Sequence, residues 1–192
     1  MKKSSSRIAV IVVLIIIAVV AYYGYLSNKT KTQQQEAGMT AVQEVLSRDL
    51  SMDYPPTPKE VVKYYNEIVK CLHNEECSED DIEELGLQAR ELYDQELLDN
   101  NELGTNLKNL KSDVEESRKS KHRINNIALA SSANVDFFTE DGYEFARILC
   151  TYSIADEGVS KVSSHVFLLR QDSEKKWKIY GWDLAENLDT QQ

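Results

Sequence analysis

Apolar and polar positions along this chain follow three patterns, and each marks a different kind of structure. Residues 8–26 (IAVIVVLIIIAVVAYYGYL) form an unbroken apolar run without a charge. As a helix rising about 1.5 Å per residue, such a run nearly crosses the hydrocarbon core of a bilayer. Residues 27–39 open on SNKTKTQQQEAG, which has nothing to bury and reads as a tether.

A helical period follows. Thr40 is placed to cap a short helix carrying Val42, Val45, Leu46 and Leu50. The extended stretch YPPTP then ends at Thr57, with Pro58 in the first helical position and Glu60 completing a capping box. Val61, Tyr65, Ile68 and Leu72 recur at intervals of four, three and four, widened by Val62 and Val69. Ser78 and Asp81 repeat the cap before Ile82, Leu85, Ala89, Leu92 and Tyr93, and a third stripe holds Leu103, Leu107, Leu110 and Val114. These are one-faced helices that need a common partner.

The partner is the C-terminal half, where the period falls to two. Turn signals at TEDG, ADEG and QDSEK separate strands expected over 123–138, 143–154, 159–170 and 176–183, in a meander. The simplest registers gather Ile127, Leu129, Ala133, Val135, Phe137, Ala146, Ile148, Cys150, Phe167, Leu169, Trp177 and Ile179 on the face toward the helices. The fold class expected is therefore α+β: an N-terminal transmembrane helix, then about three helices packed on a curved four-stranded antiparallel sheet. The expected divisions are a cytoplasmic tail (1–7), the membrane helix (8–26), the tether (27–39), an extracytoplasmic domain (40–186) and a tail (187–192).

The second sheet face is also apolar. Phe145, Leu149, Leu168, Tyr180 and Trp182 fall there in this register, an expected contact for a homodimer or protein partner. The alternative is a cover supplied by the chain itself.

Charge narrows the partners. Lys2, Lys3 and Arg7 precede the apolar run, so the rest of the chain carries 19 basic residues against 32 acidic ones, about −13. A surface so acidic disfavours nucleic acid, which needs a basic footprint. The N-terminal positive charges set the tail inside and the domain outside the cell membrane, with the bilayer itself as partner of 8–26. A cleaved signal peptide ending near Val19 and Ala21 is the alternative.

Helices followed by a paired sheet closing on KKWKIYGWDL resemble the nuclear-transport-factor-two-like cone of ketosteroid isomerases and SnoaL-type cyclases, over roughly residues 57–183. More closely, YPPTPKEVVKYYNEIVKC and TEDGYEFARILC resemble an uncharacterised family of single-pass proteins of Gram-positive clostridia. That resemblance implies a tethered extracytoplasmic domain and carries no catalytic residues with it. The cone implies a pocket between sheet and helices.

The register brings Tyr152, Ser163, His165 and Asp183 toward one end of the core face as ligand-binding candidates. His165 and Asp183, one diagonal step apart, are the candidate acid/base pair, or else they mark where the core meets water. Cys71 and Cys77 bracket a helix-to-helix turn and are expected to form a disulfide, with Cys150 reduced in the core. No metal is assigned, because Cys71, His73 and Cys77 match no familiar zinc spacing. No cofactor is implied.

Three functions remain. A membrane-tethered, non-catalytic domain that binds a protein or small ligand leads. The others are a scaffold component of a secretion or conjugation assembly, and an isomerase- or cyclase-like enzyme.

Overall fold

The computed structural model describes residues 38–156 and 158–186. The expected cytoplasmic tail, membrane helix, most of the tether and the tail at 187–192 lie outside the described residues. Among the described residues, no helix is long and apolar enough to cross a membrane. The chain divides into two compact units between Thr40 and Ala41, and the second contains every element named below.

Among the described residues five helices precede the sheet: α1 (Ala41–Leu46), α2 (Pro58–Asn74), α3 (Glu79–Arg90), α4 (Gln95–Asp99) and α5 (Leu103–Lys119). The Thr57 and Ser78 caps form, the first without the expected reciprocal box, since the Glu60 carboxylate accepts from the Thr57 hydroxyl instead. Thr57 Oγ1 accepts from the backbone N–H of Glu60, with Pro58 in the first turn. At Ser78 and Asp81 each backbone N–H donates to the other's side chain, satisfying two donors that helix geometry leaves open. The stripe buries Val61, Val62, Ile68 and Leu72, while Tyr65 and Val69 stay half-buried at its margin.

Leu92 and Tyr93 do not continue α3 as their spacing suggests. The helix stops at Arg90, and the chain straightens beside the last strand, β5 (Trp177–Leu184). Ile179 N donates to Leu92 O at 2.8 Å and Asp94 N donates to Ile179 O at 2.8 Å, a short parallel bridge. Asp94 then caps α4 by accepting from Glu96 N.

The sheet has five strands, all paired antiparallel. The stretch expected as one strand over 123–138 is two, β1 (Arg123–Leu129) and β2 (Asp136–Glu140), divided by a 3-10 turn at Ser132–Asn134. Both pair with β3 (Tyr143–Asp156), which is long enough to carry one behind the other. The turn is closed by the backbone, with Asn134 N donating to Ser131 O at 2.9 Å. Ala133 therefore sits exposed in the turn, and Phe137 is 55% exposed, neither in the core. β2 and β3 meet at Asp141-Gly142, both at positive φ, the backbone that a two-residue hairpin requires. β4 (Val159–Gln171) pairs with β3 and then with β5.

The core face holds Ala146, Ile148, Cys150, Phe167, Leu169 and Ile179, all fully or almost fully buried, with α2 packed on the sheet. Each large side chain there contributes roughly 1.5–3 kcal/mol of transfer free energy. The opposite face is partly closed by the sheet's own aromatics. Phe138 stacks on Phe145 at 5.4 Å, and Tyr180 meets Phe145 edge-on at 5.8 Å, leaving Phe145 8% exposed. Arg170 lies over Tyr143 and Tyr180, 4.8 Å from each ring centre. Of the residues expected for partner contact, Leu168 is half-buried and Leu149 is 44% exposed.

Candidate functional site

The strand β5 decides which groups face the helices. Ile179 pairs with Leu169, but Leu168 pairs with Gly181 and Phe167 with Trp182. One residue, Tyr180, is extra on β5, so the alternation skips and Trp182 returns to the same face as Ile179. The register expected from loop lengths put Trp182 on the outer face; the bulge overturns that. Gly181 was the available signal, since a glycine inside a strand marks such bulges.

Trp182 joins an aromatic cluster. Its ring centre lies 5.6 Å from Tyr65, 6.0 Å from Tyr93 and 5.9 Å from Phe167. Tyr65 comes from the margin of the α2 stripe, and Tyr93 is aimed by the bridge between Leu92–Asp94 and β5. Burial pushes the Tyr65 hydroxyl well above its ordinary pKa, with Tyr93 adding to the rise, and raises Tyr93 as well. Both phenols are neutral at physiological pH.

The cluster floors a cleft of about 560 Å³ between the helices and the end of β5. Its walls include Ile68, Leu72 and His73 of α2, Gly86 and Ala89 of α3, and Asn106, Asn109, Leu110, Asp113 and Val114 of α5. Those α5 residues share one face by their spacing of three and four. A Cβ on Gly86 would come within 2.8 Å of the end methyls of Leu107 and Leu110, so these two side chains pack directly over the glycine.

A smaller cleft of about 210 Å³ adjoins it through Tyr65, Val69, His73 and Trp182. All three histidines of the chain, His73, His122 and His165, line it. His73 Nδ1 is 2.7 Å from Ser117 Oγ, and its ring centre is 5.3 Å from that of His122. Burial lowers the His73 pKa, His122 lowers it further, and Asp113 opposes both. The neutral imidazole prevails at neutral pH.

Of the candidate ligand groups, Tyr152, Ser163 and His165 do come together. His165 Nε2 is 3.0 Å from Ser163 Oγ, and the Tyr152 ring meets the His165 ring edge-on at 5.2 Å. The Tyr152 hydroxyl turns inward, donating to Asn66 Oδ1, while Asn66 Nδ2 donates to Cys150 Sγ at 3.4 Å. Sequence reasoning missed Asn66, which looks like any polar residue in a helix.

Asp183 does not join them. The bulge pairs His165 with Leu184 and Val166 with Asp183, which places Asp183 on the other face of the sheet. Its carboxylate accepts from Leu184 N at 2.7 Å. Burial lowers the His165 pKa, and the charge of Asp183 opposes that shift from the far face of the sheet. The expected acid/base pair is therefore not assembled.

The disulfide is not formed either. Cys71, Cys77 and Cys150 are all buried free thiols, and Cys77 Sγ lies 3.5 Å from the Cys71 carbonyl oxygen rather than against its sulfur. Burial raises all three thiol pKa values, that of Cys71 to about 11, which suppresses the nucleophilic thiolate. Among the described residues, no group of three or more metal-ligating side chains is arranged to hold an ion.

Residues 1–182 match the family described as Domain of unknown function (DUF6715), so the chain belongs to that family. No curated protein matches it.

Proposed function

We propose that this member of DUF6715 is a membrane-tethered, extracytoplasmic, non-catalytic domain whose small ligand seats in the cleft between helices and sheet. One observation carries the reading. An aromatic cluster of Tyr65, Tyr93 and Trp182 floors a cleft of about 560 Å³, inside the roughly 300–1,000 Å³ usual for small-ligand sites. Trp182 is 41% exposed there. A tryptophan this open above the half-buried Tyr65 and Tyr93 is apolar area kept available for contact.

The chemistry around it favours binding over turnover. His165 has a serine beside it while Asp183 lies on the opposite face of the sheet, and burial holds the thiols protonated. The apolar, charge-free run at 8–26 supports the tether, and three positive residues before it support an exported domain. The order of helices and sheet supports a nuclear-transport-factor-two-like cone.

Thermal unfolding of the full-length protein with a chemically diverse compound set tests this. Compounds that bind the native cleft raise Tm by mass action. The reading requires that at least one class stabilises the wild type and loses its effect in Trp182→Ala. Stabilisers that act equally on both proteins would refute the cleft as the site.

A further inference from the structure

The cleft that the proposed function relies on has a chemistry narrow enough to choose among ligands. Among the described residues its lining includes no lysine or arginine, and Asp113 is the one carboxylate on it. A phosphate or carboxylate would enter without a counter-charge and against that aspartate. Anionic ligands are therefore disfavoured. A quaternary ammonium needs an aromatic cage with room between the rings. Here the rings of Tyr65, Tyr93 and Trp182 stand 5.6–6.1 Å apart and pack on one another, which makes a platform and leaves no cage.

Above the platform the wall is amide-rich. Asn106 and Asn109 lie one helical turn apart on α5 and both line the cleft. Their side-chain amides make no hydrogen bond among the described residues, and each offers two donors and one acceptor oxygen. Asp113 extends the same row by another turn. A wholly apolar ligand would press against these groups and give them nothing in return.

We infer that the cleft takes a neutral saccharide, one sugar ring lying with its C–H face on Trp182 and its hydroxyls bonded by Asn106, Asn109 and Asp113. A sugar ring is apolar on its faces and rich in donors and acceptors at its edge. Platform and amide row match those two features in turn. This inference rests on the cleft being a ligand site, and its test separates the two.

The test uses full-length protein carrying Trp177→Phe, so that Trp182 is the only tryptophan and reports by its emission. The probes are the β-1,4-linked trisaccharides of glucose and of N-acetylglucosamine, with adenosine and progesterone as competitors of other chemistry. At least one trisaccharide should shift Trp182 emission saturably. Asn106→Ala combined with Asn109→Ala, at a helix surface where folding is spared, should weaken that binding about tenfold. Isothermal titration calorimetry on the otherwise wild-type chain checks the result without relying on the reporter. If neither trisaccharide binds, the inference fails; adenosine or progesterone binding would then leave the cleft standing as a ligand site, and silence from all four would remove both. Binding of a trisaccharide unaffected by the double asparagine variant also overturns the inference.

Discussion

Replacing Arg170 with methionine removes one charge and leaves another buried. The Asp94 side chain is 5% exposed and Arg170 is 13% exposed, with Arg170 Nε and one terminal nitrogen both donating to the Asp94 carboxylate. A third nitrogen donates to Glu96 at 2.8 Å. In Arg170→Met the methionine fills most of the stem's volume between Tyr143 and Tyr180, so packing changes little. Asp94 then has no counter-ion among the described residues while remaining almost wholly out of water. Breaking a buried pair from one side costs about 3–5 kcal/mol, against about 0–1 kcal/mol for an exposed pair. A domain of this size should lose on the order of 10 °C in Tm. Urea unfolding followed by circular dichroism measures the loss, with the m-value checked for constancy. Adding Asp94→Asn removes the stranded charge yet keeps an oxygen for the Glu96 N–H at the start of α4, so the double variant should recover roughly half of the deficit. A loss below about 1 kcal/mol in Arg170→Met, or a double variant as unstable as the single, would refute the reasoning. The cleft gives a second readout, because this clasp anchors the segment that aims Tyr93.

Three further outcomes follow from the geometry. All three thiols should resist a disulfide reagent in the native protein at about pH 8 and react on unfolding, since burial raises their pKa values; fast labelling, or a Cys71–Cys77 bridge in an unreduced peptide map, would contradict this. His73 and His165 are both lowered from 6.5 by burial, so the unfolded chain binds more protons than the fold, and their contribution is complete above about pH 6.5 and lost as pH falls through the folded values. The urea midpoint should accordingly fall between about pH 7.5 and pH 5, less steeply in His73→Gln, and a midpoint that rises would reverse the sign. Asn66→Leu should lose about 1–3 kcal/mol by stranding the Tyr152 hydroxyl, which is 8% exposed as a residue, and Tyr152→Phe in that background should restore part of it by denaturant titration.

Much of the scaffold was legible because local chemistry sets it. Thr57 and Ser78 start their helices where cap patterns fall, and TEDG closes a hairpin because Asp141 and Gly142 accept positive φ. The alternation that buries Ile148, Phe167 and Ile179 was equally plain. The site was less legible, because it depends on departures from those periods. One extra residue at Tyr180 turns Trp182 inward and Asp183 outward, exchanging a supposed interface residue for a cleft residue and dissolving a supposed catalytic pair. Leu92 and Tyr93 fit the α3 stripe, yet backbone pairing with Ile179 claims them, a long-range bond that no window of sequence displays. The convergence of His73, His122 and His165 likewise joins three elements far apart in the chain.

The central claim is that contact with a partner molecule occurs in the cleft rather than on the outer sheet face, where Leu149 is exposed together with Tyr143 and Val162. Photo-cross-linking from position 182 and, separately, from position 149 of the full-length protein in living cells compares the two directly. The account predicts a small-molecule adduct at 182, found by mass spectrometry, and no discrete adduct at 149. A protein-sized adduct at 149 with none at 182 would contradict it and favour a scaffold that assembles through the sheet.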